Sequence, residues 1–213
     1  DGGLDTGTPD IGFHYSTRSE VSSVSLELDD AAIFFEPGTG LIDSDVISLY
    51  LSEDLQPGFS PGQFRGLSLR LLQEPNYLRI NAASLAPEFL TVLGTEPDYF
   101  EALVCNNVVT IGMIPSLSDP SLTFTVSPTL EVLQFGIAAG TELANLNEVI
   151  ETQFIPQDGP NCAGTLEVNN LVTDSLGNTT SLNRQPVRLT LVPHSQFRRG
   201  DANADGNTDL GDA

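Results

Sequence analysis

Gly66-Leu67-Ser68-Leu69-Arg70-Leu71-Leu72 is the stretch whose reading decides the fold. Leucine alternates with Ser68 and Arg70, so an extended backbone sends Leu67, Leu69 and Leu71 to one side and the polar residues to the other. The same period-two pattern recurs outward from here, over residues 21–28, 45–51, 108–114, 122–126, 129–137, 165–172 and 186–192. Pro, Gly, Asn or Asp punctuates each run, as turn chemistry requires. Long stretches of helical period are missing; residues 84–93 and 142–150 suit a helical turn or two. The Pro-rich passage 56–62 reads as a loop leading into the Gly66 strand. Eight or so short strands separated by turn signals predict an all-β chain folded as an antiparallel β-sandwich.

A length of 213 residues suits one sandwich with short appendages and can bury a real core. The balance of 29 acidic residues against 8 arginines, with no lysine, gives a formal charge of −21. Such a surface repels phosphate backbones and anionic headgroups, so neither nucleic acid nor membrane insertion is expected; it attracts cations, and it equally suits solubility in a salty or calcium-rich medium. No apolar run is long enough to cross a bilayer. Without an initiator Met or a signal peptide, the sequence reads as a processed or excised piece of something longer. Cys105 and Cys162 lie far apart and form no metal-type CxxC pair. In an oxidising compartment they are able to pair, which would stabilise by roughly 4 kcal/mol on the chain-entropy model; the alternative is two buried thiols.

Three zones follow: a leader over residues 1–18, the sandwich over 19–195, and an acidic tail over 196–213. The tail carries the most specific chemistry. Counted from Asp201, oxygen-bearing side chains fall at the first, third, fifth, ninth and twelfth places, as Asp201, Asn203, Asp205, Asp209 and Asp212, with Gly206 at the sixth. This is the spacing of an EF-hand calcium loop, in which alternate residues of a tight turn aim oxygens at a cation that takes six to eight of them at about 2.3–2.6 Å. Asn207, at the seventh place, would give its backbone carbonyl, and Asp209 would bind directly or through a water. The neighbouring Arg199-Gly200-Asp201 spells a short adhesion motif, but its Asp already belongs to the calcium loop.

Residues 199–213 resemble the opening of a dockerin, whose loops end in Asp where calmodulin-like hands use Glu. Dockerins carry two loop-helix units; one loop is present here. The sandwich in turn resembles a cohesin. Phe64-Arg65-Gly66-Leu67-Ser68-Leu69-Arg70-Leu71 followed by Glu74-Pro75-Asn76-Tyr77-Leu78 is similar to that family's Gly-led strand and acidic-Pro-x-x-Leu turn. Residues 107–112, 130–135, 168–170 and 174–178 resemble later cohesin pieces in the expected order. The leader, residues 5–15, looks like the closing segment of secreted parallel β-helix domains. These resemblances imply a cohesin-like jelly roll and a non-catalytic extracellular or cell-surface module. They also imply calcium-assisted assembly with a protein partner or with copies of itself, as in a filament. The alternative is a carbohydrate-binding module of a secreted polysaccharide-degrading enzyme, with polysaccharide as its partner.

Catalytic constellations are weak. Neither His14 nor His194 accompanies a nucleophile-elbow pattern. Glu96, Asp98 and Glu101 offer paired carboxylates of the kind glycoside hydrolysis needs, although a solvated loop explains them far better. The chain has no Trp, so a sugar-stacking platform would have to come from Tyr50, Tyr77 and Tyr99. The sequon Asn178-Thr179-Thr180 matters only in a host that glycosylates it.

Overall fold

The structure, a computed structural model, describes residues 23–28, 32–55, 60–126 and 128–194. The strands in chain order are β1 (Ser23–Leu28), β2 (Ala32–Glu36), β3 (Leu41–Ile42), β4 (Val46–Asp54), β5 (Gln63–Gln73) and β6 (Leu78–Leu85). After the helix α1 (Pro87–Leu93) come β7 (Tyr99–Cys105), β8 (Val108–Ile114), β9 (Phe124–Thr125), β10 (Thr129–Ala139) and β11 (Ile150–Pro156). The last are β12 (Gly159–Pro160), β13 (Glu167–Val168), β14 (Leu171–Asp174), β15 (Thr179–Ser181) and β16 (Val187–Pro193). One sheet runs β1-β4-β10-β6; the other runs β15-β14-β5-β11-β16-β2-β3, with β8 and β7 added beyond β5. Every pairing is antiparallel except β16 with β2, which are parallel, and a lone parallel bridge between Val24 and Leu182.

The alternation read from β5 sets the core. Leu67, Leu69 and Leu71 are buried, and their partners across the ladder, Met113, Ile111 and Val109 of β8, are buried with them. Ile47, Leu49 and Leu51 of β4 and Leu133, Phe135 and Ile137 of β10 face them from the opposite sheet. Burying each such side chain is worth roughly 1.5–3 kcal/mol. One end of the sandwich is plugged by aromatic rings: Phe89 of α1 meets Phe124 edge-on at 5.2 Å, and Phe124 meets Phe64 at 5.9 Å. Helix α1 begins with Pro87 and ends where Gly94 turns left-handed at φ 75°, a conformation that costs glycine little.

Four expectations change on contact with the structure. The run 165–172 is not one strand but two, β13 and β14, broken at Asn169–Asn170, where the Asn170 side chain replaces a ladder partner. Helix over 84–93 starts only at Pro87, because Ser84 and Leu85 still pair with β10. Over 142–150 there is a single 3-10 turn, Leu143–Asn145, before β11 begins at Ile150. Strands β2, β6, β7 and β11 escaped the sequence pattern altogether.

A candidate docking face on the outer sheet

Strand β5 is long enough to hold different partners along one edge. From Phe64 to Ser68 it pairs with β14, and from Leu71 to Gln73 with β11. Arg70 stands in the gap between them. Its backbone N–H donates to Asn170 Oδ1 at 2.7 Å and its carbonyl accepts from Gln157 N at 3.2 Å, so the missing ladder is replaced bond for bond. The chain between β11 and β14, residues 157–170, leaves the sheet through this gap and folds back as a lobe built on β12 and β13.

The lobe lies over the outer side of β5. Arg70 points away from the core, as the alternation predicts, yet it is only 8% exposed. Its Nε donates to Pro160 O at 2.8 Å and its Nη1 to Gln157 O at 2.9 Å. Asp158 fixes the lobe's root by accepting from both the backbone N–H and the Nδ2 of Asn170, and by pairing with Arg184. These donors, the Asn170 N–H foremost, hold the Asp158 carboxyl below the usual carboxylate range. A disulfide between Cys162 and Cys105, at the end of β7, pins the far side, with the two Cα atoms 5.7 Å apart.

The rest of the outer face, across β15, β14, β5, β8 and β7, stays open. Its floor is small. Ser68 stands opposite Gly112 on β8 and Leu171 on β14, and Gly66 stands opposite Thr173 on β14. Gly112 has a steric reason: a Cβ there would sit 3.1 Å from the ring of Tyr99, which lies across it. The Tyr99 hydroxyl donates to Glu101 at 2.9 Å, which pushes its own pKa up. Around this floor stand exposed apolar side chains: Tyr99 and Leu103 on β7, Leu117 after β8, Leu166 in the lobe and Leu176 in the β14–β15 turn. A contiguous set of exposed apolar side chains thus borders a floor of small residues.

At one end of the face lies a cleft of about 290 Å³ lined by Arg65, Ile114, Ser116, Leu117, Thr173, Asp174 and Gly177. Arg65 Nη2 donates to Ser116 O at 3.0 Å, while its buried Nε has no hydrogen-bond partner among the described residues. Asp98 accepts from the Leu117 N–H and the Ser116 hydroxyl, and these bonds, the first above all, lower its pKa. The Ser121 hydroxyl and N–H do the same for Asp119, which is also drawn down by the Arg65 charge.

The residues singled out from sequence fare unevenly. Asp201, Asn203, Asp205, Asn207, Asp209, Asp212, His14 and the Arg199-Gly200-Asp201 tripeptide lie outside the described residues. Glu96, Asp98 and Glu101 do not converge: Asp98 is committed to the Ser116–Leu117 loop and Glu101 to Tyr99. His194 donates its N–H to Phe35 O at 2.6 Å and sets its ring edge-on to Phe34. Tyr50, Tyr77 and Tyr99 do not form a common sugar-stacking platform. Tyr50 sits on β4 of the other sheet, Tyr77 packs against the core in the β5–β6 turn, and Tyr99 lies on β7. Asn178 of the sequon is exposed, with its Nδ2 donating to Asp174 at 2.9 Å. No group of three or more His, Cys, Asp or Glu residues among those described is arranged to hold a metal ion. Sequence reasoning missed Arg65, Gly112, Leu117 and the lobe; the Pro, Gly and Asn residues at 159–164 were the available signal for the lobe.

With the geometry in place, the class is an all-β sandwich of cohesin-like fold. The cohesin of a type I cohesin–dockerin complex from Clostridium thermocellum superposes with a TM-score of 0.52 at 7% identity, over 82% of this chain and 98% of that one. The sixth cohesin of scaffoldin B from Acetivibrio cellulolyticus, solved with a mutant Cel5 dockerin, gives 0.52 at 9% identity over 81% of this chain and 100% of that one. No family model and no curated protein matches the chain.

Proposed function

We propose that this chain is a non-catalytic extracellular interaction module that docks another protein module on the open outer face of β15, β14, β5, β8 and β7. One observation carries the reading: a floor of Gly66, Ser68 and Gly112 inside a rim of exposed Tyr99, Leu103, Leu117, Leu166 and Leu176. The two cohesins of similar fold were both solved in complex with dockerins, which makes a dockerin the first partner to try and a second copy of this chain the next. The Cys105–Cys162 disulfide and the charge of −21 suit an extracellular setting. Polysaccharide is the weaker partner, since the three tyrosines offer no common plane.

The all-oxygen donor set of Asp201, Asn203, Asp205, Asn207, Asp209 and Asp212 fits a hard divalent cation, so calcium is the proposed cofactor, held by the tail and rigidifying whatever the tail joins. The test is calorimetric titration of the full chain with dockerin modules, and sedimentation of the chain alone, in calcium and in chelator. Ser68→Arg and Leu103→Glu, both on the open face, should weaken binding by about a hundredfold or more, in line with loss of a central contact. A chain that binds no dockerin, stays monomeric in calcium and chelator alike, and is retained on polysaccharide gels would reverse the assignment.

A further inference from the structure

Arg65 lines a cleft that is otherwise largely apolar; its Nη2 donates to Ser116 O, and its Nε is enclosed without a hydrogen-bond partner among the described residues. The surroundings say what such a cleft would take. Ile114 and Leu117, the latter 66% exposed, give the cleft aliphatic walls. Carboxylates stand around it: Asp174 in the lining itself, Asp98 accepting from Ser116 and Leu117, and Asp119, whose own N–H donates to the Ser116 hydroxyl. Local donors fix each carboxylate in place, Asp174 through the N–H groups of Leu176 and Asn178. Asp119 already lies within electrostatic reach of the single guanidinium. A partner bringing a further negative charge would meet three carboxylates and a chain of charge −21; a partner bringing positive charge would meet a complementary rim.

We propose that the cleft between Arg65, Ile114, Leu117 and Gly177 is an anchor pocket for an aliphatic side chain on a cationic protein segment. This deepens, and rests on, the assignment of the open face as a protein-docking surface. It adds the chemistry of the contact: lysine or arginine toward Asp174, Asp119 and Asp98, and a branched aliphatic residue between Ile114 and Leu117.

The test uses the intact chain and three blocked synthetic peptides, read residue by residue by NMR. One carries a leucine between lysines, the second has glycine in place of the leucine, and the third has glutamates in place of the lysines. The lysine–leucine peptide should shift Ile114, Leu117, Thr173 and Gly177 at about millimolar concentration and bind at least about tenfold more tightly than either control. Leu117→Ser should weaken it by about tenfold and Asp119→Asn by about threefold. Both change exposed side chains, and their thermal unfolding serves as the check that folding is intact. Equal binding of the glycine peptide, tighter binding of the glutamate peptide, or indifference to both substitutions overturns the proposal. Shifts confined to Ser68, Leu103 and Gly112 overturn the anchor pocket while leaving the docking face standing; no shift at any of these residues overturns the pocket, and the dockerin titration then decides the face.

Discussion

Arg65 and Arg70 lie five residues apart on the same strand and meet opposite fates. At Arg70 the chain itself comes back over the sheet, and two lobe carbonyls accept from the guanidinium. At Arg65 no described residue accepts from the buried Nε, and an open cleft lies alongside. One end of the outer face is therefore closed by covalent and polar ties within the molecule, and the other holds an open apolar-walled cleft. The contrast teaches where a partner has room: a surface covered by its own chain has little left to offer, while an uncovered cleft with apolar walls does.

The comparison breaks most visibly by cutting the tether. Replacing both Cys105 and Cys162 by Ser should lower stability by about 4 kcal/mol, given a closed stretch of 57 residues. Denaturant unfolding with unchanged slope measures it, and a loss below about 1 kcal/mol would mean that hydrogen bonds alone hold the lobe. Next in size, Arg70→Met keeps the stem but strands Pro160 O and Gln157 O, for an expected loss of about 2–3 kcal/mol and faster amide exchange in the lobe. Arg65→Met, which removes an unmatched donor along with one bond to Ser116 O, should stay within about 1 kcal/mol of the parent. If the two arginines cost the same, the contrast between them is false.

The smallest effect is that of pH. Asp158 is held below its ordinary value by the Asn170 N–H, so the ionised form is favoured in the folded state. A lowered carboxyl pKa contributes stability that is fully present above the unfolded value near 3.8 and is lost as pH falls through the folded one. Stability should therefore decline below about pH 4, and Asp158→Asn should flatten that decline. A parent and variant with parallel pH profiles would remove Asp158 from the lobe's support.

Legibility in the sequence follows from how many faces of a strand are apolar. β5 from Gly66 to Leu71 and β8 alternate cleanly, and their inward residues were readable without coordinates, whereas β10 changes phase at Val132–Leu133, both buried. β7 has Phe100, Ala102 and Val104 inward but Tyr99 and Leu103 outward, so both faces are apolar and no period stands out. In β2 Phe34 and Phe35 are consecutive, one exposed and one buried. β11 places Thr152 in the core, its hydroxyl buried without a hydrogen-bond partner among the described residues, which a polar/apolar pattern scores as outward. The docking face was illegible for a different reason. Ser68 opposite Gly112 and Gly66 opposite Thr173 are facts of register, and register joins residues far apart in the chain. The calcium spacing from Asp201 to Asp212 is the reverse case: it is local, so it was readable, and it lies outside the described residues.

The lobe's outermost turn is knit almost entirely by one side chain. Asn161 Oδ1 accepts from the N–H groups of Thr165 and Leu166, and its carbonyl accepts from Gly164 N at 2.9 Å. Gly164 turns left-handed with nothing within 4 Å of where a Cβ would stand. A short tag or fluorescent reporter inserted at this tip would sit beside the open face and leave the β5 ladder untouched, turning the protein into its own sensor of partner arrival.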